Sequence, residues 1–468
     1  MTDQCEAIRD TAKYLRNVRP IDPEEIYEYV DGQPHPAVVR RELRELAADL
    51  DLYEREDGAF SPVPEGPLEV EFDGVEAFPE RYSRRLEDLL VEEFGAGWPE
   101  GTSGERLRAR LVDLKEAYFE RRSVEYDSLT ALAYAIYHLP DNYAATQYVL
   151  ADLADDGLLD RSLRVLEVGA GTGGPALGLA DLVPEEAVLD YHAVEPSANA
   201  DVLEPLLAET ERNVHTTVHR ERAETFDPEG EFDIVLFANV LNELDDPEAV
   251  LERYRDSLAP EGSVVAIEPA DRNTATGLRR VERAVEDEFT VYAPTCRLWP
   301  DETPGVDRWS FTVESDLAVP AFQQRLEDAA GEAYDDGAFV NVDVQYAFSV
   351  LRTDGRERIP YTPDVDRMAR LADAESYVTD RVDLVAIKLS HDLAEEGNPL
   401  FVVGDGSEQT DVFAVLTHES ALTSDLAEAP YGDLLSFENV LVLWNDDEEA
   451  YNLVVDDETV VDAARYVR

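Results

Sequence analysis

Positive charge is scarce in this chain, and lysine is nearly absent. The 468 residues hold 40 Lys plus Arg against 104 Asp plus Glu, which gives a formal net charge of −64. Three of the basic residues are lysines: Lys13, Lys115 and Lys388. This charge argues against binding nucleic acid through bulk attraction, although it leaves room for a local basic patch. The composition resembles that of cytoplasmic proteins from extreme halophiles, whose carboxylates stay hydrated in molar salt.

Cysteine and long apolar runs are also scarce. Cys5 and Cys296 cannot build a disulfide framework or a cysteine-based metal cluster. No apolar run approaches the roughly 18 residues that a membrane span needs. The first ten residues are charged and lack the apolar segment of a signal peptide. We therefore expect a soluble, cytoplasmic protein with reduced thiols.

The first 66 residues read as three helices followed by two short strands. Asp22 can cap the second helix, and the third helix begins near Pro36. Asp57-Gly58 is a favoured hairpin turn between the strands. This order predicts a winged helix–turn–helix domain over residues 1–66.

Three arginines of the third helix are candidates for nucleic-acid contact. Arg40, Arg41 and Arg44 lie where such folds meet nucleic acid. The same helix carries Glu42 and Glu45. The alternative is therefore a protein-docking module whose arginines pair with its own carboxylates.

Residues 67–155 are mostly helical in pattern. The clearest periodic stretches cover residues 106–122 and 129–136, and another follows Pro140. We predict a helical domain that ends just before Gly157.

The most informative segment, LRVLEVGAGTGGPALGLADLV, reads as a buried strand, a glycine turn and the start of a helix. Gly169, Gly171 and Gly173 allow the backbone to turn sharply and to approach a ligand closely. Gly169, Gly171 and Gly174 also satisfy the G-x-G-x-x-G pattern of dinucleotide sites, which is a weak signal alone.

Three further features favour S-adenosylmethionine over a dinucleotide. Glu167 lies two residues before the first glycine, where Rossmann-like methyltransferases usually carry an acidic residue. Glu195 ends the next strand and can accept both hydroxyls of a ribose, which suits either ligand. Residues 231–269 then read as strand, polar turn, helix, Pro-Glu-Gly turn and strand, the usual second half of such a methyltransferase.

The predicted roles follow the chain. Glu167 would hold the amino group of the cofactor, the glycines would pass beneath its methionine part, and Glu195 would take the ribose. Glu224 would meet the adenine, unless it is one of the many solvated surface carboxylates. Asn239, Leu241 and Asn242 end the fourth strand and would line the transfer site. The full predicted cofactor set is Glu167, Gly169, Ala170, Gly171, Thr172, Gly173, Glu195, Pro196, Ser197, Glu224, Asn239 and Leu241.

The chain resembles a known family over roughly residues 130–390. The segments that carry the resemblance are HLPDNYAATQYVLADL, VLEVGAGTGG, AVEPS, DIVLFANVLNEL, SVVAIEPADRNTATGLRRVE, VYAPTCRLWP, RWSFTVES and YAFSVLRTDG. They are similar to the mitochondrial small-ribosomal-subunit methyltransferase-like proteins and their bacterial and archaeal relatives. The resemblance implies a role in small-subunit maturation or translation, with methyl transfer to ribosomal RNA.

One departure from that family concerns metal. The resemblance implies several cysteines that hold a metal or iron–sulfur cluster, whereas this segment keeps only Cys296, and Ser310 follows Trp309 where a ligand is expected. One thiolate cannot hold a cluster that needs about four ligands. We therefore predict no metal, with Trp299 and Trp309 packed in a core. The catalytic residues remain unassigned.

After residue 380 the pattern changes to five short β-rich runs, with a helical or irregular connector between the third and the fourth. This order predicts an OB-fold barrel over residues 375–468. Phe401, Phe413, Trp444 and Tyr451 could stack on bases or fill the barrel. We expect Phe401 and Phe413 to be core residues and Trp444 to be the stacking candidate.

The sequence thus predicts an α/β protein with a class I methyltransferase core. Its domains would be a winged helix (1–66), a helical domain (67–155), an S-adenosylmethionine-dependent methyltransferase domain (156–365) and an OB-like β domain (375–468). The favoured function is methylation of ribosomal or other RNA. Two alternatives stay open: a non-catalytic ribosome assembly factor and a winged-helix transcription regulator.

The charge balance predicts a strong dependence of stability on salt. Below about 0.5 M salt the Debye length exceeds roughly 4 Å, so repulsion between carboxylates grows. The melting temperature should fall steeply between molar potassium chloride and dilute buffer, as measured by scanning calorimetry. An unchanged melting temperature would refute the halophile interpretation.

Overall fold

The computed structural model describes residues 2–30, 32–300 and 302–464. The chain divides into two compact units. The first comprises Met1–Ala238, Asp256–Gly262 and Ser315–Val344, and the second comprises Asn239–Arg255, Ser263–Glu314 and Gln345–Arg468. The four domain ranges drawn from the sequence remain predictions.

The regular elements have the following bounds. In chain order the helices are α1 Thr2–Leu15, α2 Pro23–Ile26, α3 Pro36–Glu45, α4 Glu80–Phe94, α5 Gly101–Phe119, α6 Ser128–Asp155, α7 Gly174–Leu182, α8 Ala200–Leu207, α9 Pro247–Arg255, α10 Arg272–Ala284, α11 Ala321–Asp328 and α12 Asp425–Glu428. The strands are β1 Leu52–Glu54, β2 Phe60–Pro62, β3 Ser162–Val168, β4 Val188–Val194, β5 Val214–His219, β6 Phe232–Ala238, β7 Leu258–Pro269, β8 Thr290–Ala293, β9 Thr312–Val313, β10 Gln345–Arg352, β11 Arg381–Lys388, β12 Leu400–Gly404, β13 Val412–Leu416, β14 Leu434–Asn445, β15 Ala450–Val455 and β16 Val460–Ala463.

The N-terminal module has the predicted order of elements. Helices α1, α2 and α3 precede an antiparallel pair, β1–β2. Asp22 caps α2, since its Oδ1 accepts a hydrogen bond of 2.8 Å from the N–H of Glu24. Ile8, Val39 and Phe60 belong to its buried core.

A buried amide joins this module to the rest of the first unit. The N–H of Glu54 in β1 donates to Oδ1 of Asn213 at 2.7 Å. Nδ2 of Asn213 donates in return to the carbonyl of Glu54 at 3.1 Å and to that of Glu185 at 2.7 Å. These bonds satisfy buried backbone groups, so they fix the hairpin against the segments that precede β4 and β5.

Helices α4, α5 and α6 confirm the helical prediction, with one correction. Helix α6 runs through Pro140 without a break, whereas the sequence indicated separate helices on its two sides. A proline inside a helix costs about 3 kcal/mol because it removes one hydrogen bond and crowds the preceding turn. Leu139 and Tyr143, on either side of it, are buried, and their packing offsets this cost.

Four parallel strands form the sheet of the first unit, in the order β5–β4–β3–β6. Val168, the last residue of β3, pairs with Val194 of β4 and Phe237 of β6. The carboxyl ends of these strands therefore lie along one edge of the sheet. Val165 and Leu166 are fully buried, as the apolar run predicted.

The second unit contains an antiparallel arrangement and a barrel. Strand β10 pairs with β7 on one side and with β8 on the other. Residues 260–262, predicted as a Pro-Glu-Gly turn, instead lie within β7. That turn prediction was wrong. Because Gly262 has no side chain, its backbone can lie close to Asp233. A Cβ at this position would be 3.0 Å from the Asp233 carbonyl oxygen.

The C-terminal region confirms the predicted strands and forms a five-stranded barrel. Its order is β11–β12–β13–β15–β14, and β14 pairs back with β11. Strands β13 and β15 are parallel, whereas the other barrel pairs are antiparallel. Helix α12 lies in the predicted connector. The sequence missed β16, which pairs with β14.

Candidate cofactor site

The glycine loop between β3 and α7 is tied to the end of β4. The N–H groups of Gly169 and Ala170 both donate to the carbonyl of Val194, at 2.9 and 3.0 Å. The N–H of Gly171 donates to Oε2 of Glu195 at 2.9 Å. The loop and the carboxyl end of β4 therefore form one hydrogen-bonded edge.

Gly171 leaves open space beside this loop. Its φ is +54°, and a Cβ built there would meet no atom within 4 Å. Gly173 and Gly174 differ, because a Cβ would lie 2.5 Å from Cδ1 of Leu203 or 2.7 Å from Cβ of Asn142. The second glycine thus leaves room for a ligand, while the two that follow permit close packing of helices.

Glu167 is a fully buried carboxyl group with one oxygen in use. The hydroxyl of Tyr191 donates to its Oε2 at 2.7 Å. Its Oε1 has no hydrogen-bond partner among the described residues. Burial, together with a smaller effect of the nearby charge of Glu195, raises the pKa of Glu167 to about 8 despite the hydrogen bond from Tyr191. Such a group stays largely protonated at neutral pH until a cation comes within reach.

Glu195 is buried, but its two oxygens accept several hydrogen bonds. Oε1 accepts from the N–H of Ser197 at 2.9 Å and from the Ser197 hydroxyl, while Oε2 accepts from Gly171. A carboxylate offers about four acceptor positions. Glu195 therefore keeps acceptor capacity for a ribose hydroxyl, beside the exposed Pro196.

The charge of this edge separates the two ligand classes. A dinucleotide would place an anionic pyrophosphate near the loop, and that group supplies no cation for the unpartnered oxygen of Glu167. S-adenosylmethionine carries an ammonium and a sulfonium group. The unpartnered oxygen of Glu167 and the open side of Gly171 fit that cationic ligand.

Two other predicted residues lie in contrasting environments. Thr172 is buried within the loop. Glu224 is exposed in a turn that follows β5, as expected if it is one of the solvated surface carboxylates. Its proposed contact with adenine remains a prediction.

Asn239 and Leu241 belong to the second unit. The segment that contains them is hydrogen-bonded to the carboxylate of Glu268, which the sequence analysis did not identify. Asn239 directly follows the last residue of β6, has a φ of +54°, and donates its N–H to Ile267. Oε1 of Glu268 accepts from the N–H of Leu241 at 2.9 Å, and Oε2 accepts from Nδ2 of Asn242. Burial raises the pKa of Glu268 to about 7. A single acidic residue at the end of the apolar run of β7 was the signal available in the sequence.

The arginines of α3 face carboxylates of their own module. Arg44 forms a two-pronged pair with the buried Glu54. Arg41 pairs with Glu42 and Glu45, its neighbours on the helix. Nε of Arg40 lies 3.8 Å from Glu54. These are the ion pairs that the protein-docking alternative predicts.

The aromatic residues of the barrel divide as expected. Phe401 is buried in the core of the barrel, and Phe413 packs against a neighbouring core cluster. Trp444 is 40% exposed near the end of β14. Its ring meets Tyr451 edge to face, with centroids 4.8 Å apart, and its Nε1 donates to Asp446 at 2.9 Å.

The segment around Cys296 has the packing of a core. Cys296 is buried, its Sγ–H donates to the carbonyl of Tyr292 at 3.3 Å, and burial raises its pKa to about 12. Trp299 belongs to the same apolar cluster. Ser310 exchanges a 2.8 Å hydrogen bond with Tyr431. No group of three His, Cys, Asp or Glu within the described ranges is arranged to hold a metal ion.

Comparison with known families divides the chain into three parts. Residues 139–304 match the family described as "Methyltransferase domain". Residues 5–56 match "Domain of unknown function (DUF8157) N-terminal domain", and residues 372–464 match the C-terminal domain of the same name.

Curated and solved proteins give more distant likenesses. A polyketide synthase, ThaG of Burkholderia thailandensis, is 27% identical over 305 residues, covering 61% of this chain; the chain spans 4% of that protein's length. A methyltransferase structure from Thermoplasma acidophilum is 11% identical, covers 43% of this chain and 70% of its own, and has a TM-score of 0.27. An S-adenosylmethionine-dependent methyltransferase from Aquifex aeolicus is 18% identical, covers 32% and 82%, and has a TM-score of 0.27.

The family match and the site together define the class. The chain carries a methyltransferase domain with the Rossmann-like class I fold, and S-adenosylmethionine is its cofactor. The methyltransferase part of the resemblance is thereby confirmed, whereas the likeness to ribosomal-subunit proteins remains a prediction. In the described residues no helix is long and apolar enough to cross a membrane.

The site predicts a cofactor preference that calorimetry can measure at high salt. S-adenosylmethionine or its demethylated product should bind, and NAD should not. Gly171→Leu should weaken binding at least tenfold, because its side chain would fill the open space beside the loop. Gly331→Leu is the matched control, since Gly331 also has a positive φ and open surroundings. Binding of NAD alone, or equal losses in both variants, would contradict this assignment.

Proposed function

We propose that the protein transfers methyl groups from S-adenosylmethionine to RNA, with ribosomal RNA of the small subunit as the expected target. The observation that carries the proposal is the exposed Trp444 on the C-terminal barrel. Oligonucleotide-binding barrels of five strands use the loop between their fourth and fifth strands. Trp444 stands next to that loop, which runs from β14 to β15.

We infer that this barrel is of the OB type. Its strand order, its parallel third and fifth strands and the helix before the fourth strand support the inference. An exposed aromatic ring can stack on any base, a contact worth about 1–3 kcal/mol per base. The loop itself is acidic, with Asp446, Asp447, Glu448 and Glu449. Contact through base stacking suits this surface better than contact with phosphates.

The chemistry divides between cofactor and protein. The bound cofactor supplies an electrophilic methyl group on sulfur. Glu167, Gly171 and Glu195 would hold that cofactor, while Glu268 fixes the turn at Leu241 and Asn242. A group that takes a proton from the acceptor remains unassigned.

A non-catalytic role in ribosome assembly is the second candidate. It is favoured by the ion pairs of Arg41 and Arg44 with carboxylates of their own module. Arginines that are already paired favour protein docking over nucleic-acid contact for the N-terminal module. The same pairs weigh against the transcription-regulator alternative. The winged-helix interpretation of the N-terminal module rests only on the order of its helices and strands.

Incubation with labelled S-adenosylmethionine and small-subunit particles at molar salt tests the proposal. Label should enter the RNA, and Trp444→Ala should raise the KM for particles about tenfold through the loss of one stack. Tyr118→Ala is the matched control, because Tyr118 is 38% exposed, about as much as Trp444, and lies outside the barrel. Cofactor binding without any RNA label would favour the assembly-factor role, and equal KM values would remove Trp444 from the interface.

A further inference from the structure

One face of α6 is polar and only partly buried, although most of this helix between residues 130 and 154 is buried. Tyr134, His138 and Asn142 form this polar face, since residues four apart lie on the same side of a helix. Nδ2 of Asn142 lies 3.5 Å from the hydroxyl of Tyr134, a contact that spans eight residues. The partial exposure of the face leaves its polar groups within reach of a ligand.

One end of the polar face of α6 packs against the glycine loop. A Cβ built on Gly174, the first residue of α7, would lie 2.7 Å from Cβ of Asn142 and 3.1 Å from the carbonyl oxygen of Leu139. The turn of α6 that carries residues 139–142 is therefore in contact with the end of the loop. His138 directly precedes that turn.

The other end of the polar face reaches the loop that follows Glu195. The N–H of Ala198 donates to the carbonyl oxygen of Tyr126 at 3.3 Å. The ring of Tyr126 meets that of Tyr134 edge to face, with centroids 5.8 Å apart, and Tyr134 packs on the ring of His138 at 4.8 Å. All of these residues belong to the first unit. His138 thus lies in a wall that connects the two loops of the cofactor site.

A fixed carboxylate orients the ring of His138. Nδ1 of His138 lies 3.2 Å from Oδ2 of Asp141. The same oxygen accepts from Nδ2 of Asn341 at 2.8 Å, while Oδ1 accepts from the N–H of Asn142 at 2.9 Å. The side chain of Asp141 is 20% exposed, whereas that of His138 is 37% exposed. The carboxylate is therefore held in place, and the imidazole remains accessible.

This pair has the arrangement of a general base. A neutral imidazole that donates from Nδ1 to a carboxylate carries its lone pair on Nε2. The carboxylate also stabilises the imidazolium that forms when Nε2 takes a proton. Transfer of a methyl group to an O–H or N–H acceptor releases one proton, and such a group can take it.

We propose that Nε2 of His138 is the general base of methyl transfer and that Asp141 is its positioning residue. The proposal rests on methyl transfer, the first part of the proposed function, and not on RNA as the acceptor. The acceptor gives its proton to Nε2 while its oxygen or nitrogen forms a bond to the methyl carbon. The bond from that carbon to sulfur breaks, and sulfur keeps the electron pair. His138 then loses the proton to solvent, to which its ring is partly exposed.

Chemical rescue tests the base in the assay with small-subunit particles. His138→Ala should lower kcat about a hundredfold or more, the usual contribution of a general base, without weakening the binding of the demethylated cofactor in calorimetry. Imidazole in the buffer should restore part of the lost activity, because the vacated space is open to solvent. Asp141→Asn should lower kcat and leave KM unchanged.

His192→Ala is the matched control for this experiment. Nε2 of His192 also lies close to an aspartate, at 3.3 Å from Oδ2 of Asp190, but His192 is part of β4 and not of the polar face of α6. Its variant should keep the kcat of the unchanged protein. A loss in His138→Ala that imidazole does not restore, or an equal loss in His192→Ala, would overturn the role of His138.

A second measurement does not depend on the acceptor. In protein whose seven histidines carry carbon-13, the nuclear magnetic resonance signal that His138→Gln removes should shift when the demethylated cofactor is added. The signal of His418, which is exposed in the C-terminal region, should not shift. An unchanged His138 signal would overturn the proposal even if RNA is methylated, and it decides the case if His138→Ala does not fold. A shift without label in RNA would refute RNA as the acceptor and support the placement of His138.

Discussion

The burial of carboxylates is the constraint on which the described structure depends. With 104 acidic and 40 basic residues, most carboxylates of the chain have no cation of their own, and an unmatched charge is expensive away from water. Glu195 and Glu268 are satisfied by backbone and side-chain donors, and Glu54 and Glu282 by arginines. Glu167 keeps one oxygen without a donor. Its ionised form is therefore favoured only when a cationic ligand arrives.

The same constraint explains where the arginines are used. Arg44 neutralises the buried Glu54, whose backbone bonds to Asn213 fix the hairpin in place. Arg279 and Arg308 lie inside the second unit. Arginine suits these positions because its planar fork of five donors can satisfy several acceptors at once. These three arginines therefore satisfy buried acceptors within the protein.

Much of the cofactor site could be predicted because local rules determine it. The strand before Gly169 and the turn at Gly171 follow from apolar runs and backbone freedom, which neighbouring residues alone reveal. The strands of the barrel could likewise be predicted from their short apolar runs. Glu268 was missed because its role depends on donors more than twenty residues away. The continuity of α6 through Pro140 was missed because tertiary packing overrides a local preference.

The proton balance of cofactor binding tests the central claim, that Glu167 is the cation-binding group of the cofactor site. Calorimetry at pH 7 in buffers of different ionisation enthalpy counts the protons released when the demethylated cofactor binds. Because the pKa of free Glu167 is about 8, the group is mostly protonated at that pH, and an ammonium beside it should lower its pKa and release about one proton. Glu167→Gln should bind more weakly and release none. Binding without proton release, or the same release from Glu167→Gln, would contradict the account.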